Sequence, residues 1–378
     1  MRGAPYSVQR VSTKRLAVVL SLGILFVLGA PRLAIAESTV VIEANGATQH
    51  VIDLVYVAEG YVAADKAQFL ADAEVVHQGL VTSAPFAQMR QLISARALFV
   101  TSAERGSDHP SKGIERNTAF DSTYDSNGVG RLITANNGAV QVAVNQAFPA
   151  FDIAILIVND QRYGGSGGAV PMVSMHPSSI AVLRHEIAHN LGGLADEYTA
   201  PYPGYPPGDS EPNVASSEHL DPLPWQAWVA KTTPIPTPIT AQTGPYTPIG
   251  AYEGARYQKK DIFRPAPTCI MRDLASEFCP VCAEALVLAV GAKTNMVRVH
   301  QPTQTEISCL QGACPTFSVL TSGLVHEEVV WSIDGAIVGK GTTWTPSADL
   351  LGQHSVEASV RDTTSLVIAD PTGVLREA

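Results

Sequence analysis

Arg184-His185-Glu186-Ile187-Ala188-His189-Asn190-Leu191-Gly192-Gly193-Leu194-Ala195-Asp196-Glu197-Tyr198 is the stretch on which the reading of this chain turns. It opens with His-Glu-x-x-His. On a helix, residues four apart share a face, so His185 and His189 can present two imidazole nitrogens to one metal ion. Glu186 then lies beside the metal's open position, placed to take a proton from bound water. The flanks fit a helix: Ser178-Ser179 offers an N-cap, and Ile180, Leu183, Ile187 and Leu191 recur at helical spacing. Gly192-Gly193 supplies the turn that ends it.

A catalytic zinc usually takes three protein ligands and leaves a fourth position to water. In the pattern H-E-x-x-H-x-x-G-x-x-H, Gly192 matches the glycine, but the last position falls on Ala195, which cannot bind metal. Asp196 follows one residue later, and the doubled glycine can absorb the extra residue. Asp196 is therefore the expected ligand, with Glu197, or a distant group such as Glu218 or His219, as alternatives. A second constellation joins Cys269-Ile270-Met271-Arg272-Asp273 to Phe278-Cys279-Pro280-Val281-Cys282. It puts Met271 where a Met-turn would lay a soft apolar floor beneath the imidazoles.

The chain has 378 residues, 46% hydrophobic and 16% charged, which fits a globular protein with a substantial core. Arg2, Arg10, Lys14 and Arg15 precede an apolar run from Leu16 to Leu28, and Ala34-Ile35-Ala36 supplies a small-x-small site before Glu37. That is the layout of a secretory signal peptide over residues 1–36. An uncleaved anchor is disfavoured because the run is short and Pro31-Arg32 interrupts its far side. Cleavage removes five basic residues (those four and Arg32) and no acidic ones, which leaves 20 Lys and Arg against 35 Asp and Glu, a net −15. Such acidity argues against nucleic acid or anionic membrane surfaces as partners. The expectation is an exported protein, secreted or periplasmic, free of the membrane once cleaved.

All five cysteines come late: Cys269, Cys279, Cys282, Cys309 and Cys314. In an exported chain they are expected as disulfides where geometry permits. Cys309 and Cys314 can close a short loop, and the other three allow one bridge and one leftover thiol. A structural zinc on Cys269, Cys279 and Cys282 is the alternative, with no fourth ligand evident.

Strands are expected at residues 38–42, 51–58, 96–101 and 153–158, with helical patterns over about 63–80 and 130–147. This alternation argues for a mixed α/β sheet. After the strongest strand comes Tyr163-Gly164-Gly165-Ser166-Gly167-Gly168, which lacks the Lys-Ser/Thr of a P-loop. Its glycines read better as a tight backbone turn beside the active site. Residues 169–175 read as an edge strand able to hydrogen-bond an extended peptide. Residues 199–268 hold 14 of the 26 prolines and suggest an extended cover with short helical turns, one anchored by Trp225 and Trp228. From residue 296 onward, short alternating runs separated by Asp334-Gly335 and the glycines at 339–341 give the pattern of a small β-sandwich.

Taken as His-Glu-x-x-His-x-x-Gly-Gly-Leu-x-Asp-Glu-Tyr, residues 185–198 resemble the signature of the IgA-peptidase family of zinc metallopeptidases. Residues 163–167, Gly250-Ala251-Tyr252-Glu253-Gly254-Ala255, and Phe263-Arg264-Pro265 leading to Met271 extend the resemblance over about residues 50–290. Val57-Ala58-Glu59-Gly60-Tyr61 is similar to a family G-D-G-Y strand end but differs in its first two residues. The resemblance implies a zincin fold, one zinc and endopeptidase activity on a protein or peptide substrate.

The expected fold is thus an α/β zincin-type domain (α+β, with a mixed sheet and an active-site helix) over residues 37–295, followed by an Ig-like β-sandwich over 296–378. Glu186 is the expected base, and His185, His189 and Asp196 the zinc ligands. Tyr198 or Tyr252 are candidate oxyanion stabilisers. The competing functions are a binding or adhesion protein with a structural zincin domain, and a zinc hydrolase of a non-peptide bond.

Overall fold

The structure is a computed structural model that describes residues 38–202, 204–309, 314–347 and 349–378. The signal-peptide reading of residues 1–36 lies outside the described residues. Its first half lays down β1 (Val40–Glu43), β2 (Ile52–Glu59), α1 (Lys66–Val81), β3 (Ile93–Leu98), α2 (Asn137–Ala147), β4 (Ile153–Val158), β5 (Gly165–Ser166), β6 (Met172–Ser174) and α3 (Ser179–Gly192). The six strands form one mixed sheet in the order β1-β3-β2-β4-β6-β5, with β1 and β5 antiparallel to their neighbours and the rest parallel.

β2 and β4 are buried along their whole length, as central parallel strands covered on both faces must be. Their side chains alternate between two cores. Leu54, Tyr56, Ile155 and Ile157 join one cluster with α1 and α3, while Val55, Val57, Leu156 and Val158 pack with Val140 and Val144 of α2. Each fully buried aliphatic side chain contributes about 1.5–3 kcal/mol. The helix bearing His185 is therefore held against the sheet by its own apolar residues, Leu183, Ile187 and Leu191.

Three local readings need correction. Residues 169–175 do not make an edge strand: β6 is only three residues long and β5 pairs along its outer side. A two-residue strand carries no periodicity to read. The Ser178 hydroxyl does not cap α3; its backbone N–H donates to His176 Nδ1 at 3.1 Å. α1 starts at Lys66 because residues 63–65 form a 3-10 turn.

The proline-rich segment is an ordered cover. Trp225 Nε1 donates to Gly250 O at 2.7 Å, and Trp228 Nε1 to Glu284 Oε2 at 2.7 Å. The cover also contains a three-stranded antiparallel sheet of β7 (Ala215–Ser216), β8 (Tyr252–Ala255) and β9 (Gln258–Arg264), ordered β7-β9-β8. α4 (Pro280–Gly291) then packs against α3, so closely that a Cβ at Gly192 would lie 2.9 Å from Leu286.

The C-terminal residues form the expected β-rich region. β10 (Val297–Gln301), β11 (Phe317–Thr321) and β14 (Thr343–Trp344) make one antiparallel sheet; β12 (Glu327–Ile333), β13 (Ala336–Lys340), β15 (Val356–Asp362) and β16 (Arg376–Glu377) make another. Val319, Val329, Trp331 and Val360 are buried together, with Phe317 and Trp344 against them. Cys309 and Cys314 are joined in a disulfide. Among the described residues, no helix is long and apolar enough to cross a membrane.

Candidate metal centre

One turn of α3 separates His185 from His189, and their rings lie 4.8 Å apart, centroid to centroid. Each ring is oriented from behind. His185 Nδ1 donates to Ile270 O at 3.0 Å, and His189 Nδ1 donates to Leu194 O at 2.6 Å. A carbonyl can only accept, so both protons sit on Nδ1 and both Nε2 atoms present lone pairs. Those Nε2 atoms are 3.1 Å apart, and Asp196 Oδ1 lies 3.0 Å from one and 3.5 Å from the other. Three acceptors converging without a donor repel one another unless a cation sits among them. The donor set, two imidazoles and a carboxylate, fits zinc with a position left for water.

The charge balance agrees. Burial opposes a charged ring at His189, but the carboxylates of Asp196 and Glu186 outweigh it and push this imidazole up to about 9. Burial would raise Asp196, yet the two imidazoles hold it well below the usual carboxylate range. The cluster draws positive charge, and a proton supplies it when no metal does.

Asp196 arrives by way of Gly193, whose φ of 60° is the left-handed turn that L side chains avoid. From there residues 196–198 are held by backbone hydrogen bonds from two other segments. Arg256 N donates to Asp196 O (2.8 Å), Glu197 N to Met271 O (2.8 Å), and Tyr257 N to Tyr198 O (2.7 Å). Arg256 and Tyr257 form the turn between β8 and β9, both with positive φ (46° and 61°), a strained choice for non-glycine residues. That turn aims Tyr257 at the site, where its hydroxyl donates to Asp196 Oδ2 at 2.5 Å. Tyr257 was not found from the sequence. Its only signal was its place two residues past Ala255, the end of one resembling segment.

Glu186 is half-buried, and burial pushes its carboxyl up against the pull of the neighbouring imidazoles. The glycine-rich loop passes directly over it: a Cβ on Gly167 would lie 2.5 Å from Glu186 Oε2 and 3.5 Å from His189 Cδ2. A Cβ on Gly165 would strike Val182 and Met172 O. The glycines are there for close approach, as the loop's position suggested.

The remaining candidates separate cleanly. Tyr198 stacks at a tilt 5.8 Å from the His185 ring, and its hydroxyl makes no hydrogen bond among the described residues. Burial pushes its phenol up, so it stays a donor at neutral pH. Tyr252 is buried and donates to Pro248 O, which removes it from the site. Glu218 and His219 are exposed, with His219 paired to Asp209. Met271 is fully buried in the main core, in the turn whose Ile270 carbonyl orients His185. Glu197 faces away from the imidazoles. The expected bridge among Cys269, Cys279 and Cys282 is absent: all three are buried free thiols, converging with Glu197 on one point instead of pairing.

A family model described as IgA Peptidase M64 matches residues 40–247 and 241–290. No curated protein matches the chain.

Proposed function

Since the chain belongs to the IgA Peptidase M64 family, and is therefore built as a peptidase, we propose that it is a secreted zinc-dependent endopeptidase acting on extracellular or periplasmic proteins. The observation that supports this most strongly is the convergence of His185 Nε2, His189 Nε2 and Asp196 Oδ1 beside Glu186. Zinc held by these three residues would supply Lewis acidity, lowering the pKa of water and polarising a carbonyl.

The chain's own residues account for the rest. Glu186 takes the proton as water attacks the scissile carbonyl and passes it to the departing amine. Its burial favours the protonated form, which suits the second half of that exchange. Gly167 covers Glu186 with backbone alone and so restricts its rotamers. Tyr198, with a free phenolic proton near the imidazoles, is the candidate donor to the developing oxyanion. Tyr257 positions Asp196 by holding the oxygen that faces away from His185. Met271 serves as the Met-turn residue. The C-terminal sheets are read as an Ig-like sandwich, and residues 37–295 as the catalytic domain. Signal-directed export of residues 37–378 is supported by the Cys309–Cys314 bridge, which suits an oxidising compartment.

The test is Glu186→Gln, assayed for zinc content and casein hydrolysis. Zinc should remain, and hydrolysis should fall by about 10²–10⁴-fold. A fully active Glu186→Gln protein would sink the mechanism.

A further inference from the structure

Glu197 and Asp196 are adjacent in the chain, yet their carboxylates join different clusters. Asp196 faces the imidazoles. Glu197 enters a second pocket with Cys269, Cys279 and Cys282, where the four ligand atoms all lie within 4.8 Å of one another. All four side chains are fully buried. From these positions we infer that Glu197, Cys269, Cys279 and Cys282 form a second, structural zinc site, distinct from the one at His185.

Several independent features support the site. Cys279 and Cys282 flank Pro280-Val281 at the start of α4, a C-x-x-C spacing suited to one metal. The Glu197 Oε2 atom is buried with no hydrogen-bond partner, while Oε1 accepts from Asn213 Nδ2 at 3.1 Å. An unpartnered carboxylate oxygen among three thiols is costly unless a cation takes it.

Charge points the same way. Arg264 is buried, and among the described residues its guanidinium bonds only to the carbonyls of Glu253, Gly254 and Pro267, with no carboxylate in contact. Arg272 donates to Glu197 O at 2.8 Å, and both arginines act electrostatically on the Glu197 carboxylate. With neutral thiols these two guanidiniums, Arg264 buried and Arg272 half-buried, face a single carboxylate. Three thiolates and a carboxylate around Zn²⁺ carry a net charge of about −2, which two guanidiniums balance.

Four protein ligands and no opening to solvent make a closed site, the structural kind, and the thiolate-rich set favours zinc. Its ligands come from the Asp196 segment, the Met271 turn and the N-terminus of α4. It would therefore staple together the backbone that supplies Asp196 and the Ile270 carbonyl behind His185.

The experiment measures zinc per chain in protein purified from zinc-supplemented medium, for the unmutated protein and for His185→Ala/His189→Ala. Two zincs and one zinc are expected, respectively. X-ray absorption on the double variant should show three sulfur neighbours at about 2.3 Å. Cys282→Ser should lose one zinc. Because that variant can fail to fold, thiols are also counted by alkylation of the denatured, unmutated protein. Zinc bound only through nitrogen and oxygen, no zinc in the double variant, or any disulfide among the three cysteines would overturn the site. Failure of the catalytic reading looks different: one sulfur-bound zinc in both proteins.

Discussion

Gly167→Ala should separate catalysis from folding. The added Cβ would lie 2.5 Å from Glu186 Oε2, whereas ordinary contact begins at 3.4 Å, so the carboxylate must retreat by about 0.9 Å. What moves is the far end of a flexible side chain, and Gly167 has no positive φ to strain. The fold should therefore lose no more than about 0.5 kcal/mol, the usual range for a change away from the core, or at most about 1 °C in Tm for a chain of this size. Catalysis is less forgiving, since a misplacement of about 1 Å at a reacting group costs about 100-fold. Casein hydrolysis by Gly167→Ala should fall about 100-fold, with zinc content and Tm unchanged. Hydrolysis within about threefold of the unmutated enzyme would refute the reasoning, because Glu186 would then not work from the position against the loop.

Two further perturbations test the surroundings of the site and of the sheet. Tyr257→Phe removes the hydrogen bond to Asp196 Oδ2 and should weaken zinc binding by about 10–100-fold in a chelator competition; unchanged affinity would show that the phenol does not position the ligand. Asp53→Asn should stabilise the protein at pH 7.5 and not at pH 4. Burial and the Asp152 carboxylate raise Asp53 from 3.8 to about 6, so its ionised form burdens the folded state above that range, and the burden disappears below 3.8. The full shift is worth about 3 kcal/mol, and about half that with solvent screening. Denaturant melts across pH 4–8 would show the difference growing with pH, and a flat difference would contradict it.

What could be read from the sequence was local. His185 and His189 were legible because their spacing alone fixes a shared helix face, with Glu186 next to the first of them. Asp196 was legible because only a short glycine turn intervenes. The centre of the sheet was readable from uninterrupted aliphatic runs in β2 and β4. Contacts across long stretches of chain were not. Tyr257 reaches Asp196 across 61 residues, through a hairpin whose turn is Arg256-Tyr257 and not a glycine pair. Glu59, given no role from sequence, is fully buried and accepts from Thr118 Oγ1, Phe120 N and Ser122 N, so it clamps the loop after β3 to the end of β2. Cysteine parity suggested a bridge among Cys269, Cys279 and Cys282. It could not show a carboxylate brought beside them from more than 70 residues away.

The extra residue between Gly192 and Asp196 has a structural consequence of its own. After α3, Leu194 N and Gly193 N both return to Ala188 O, which closes the turn under the last helical residues. That closure brings Leu194 O to His189 Nδ1, so one turn fixes the ring of the second histidine and also launches the segment that carries Asp196. Gly193 carries the left-handed φ, and a Cβ there would meet nothing within 4 Å. The glycine is thus required by backbone conformation and not by space. The second imidazole and the start of the segment bearing the carboxylate are set by one helix end, so a change in this turn's length would disturb His189 and Asp196 together.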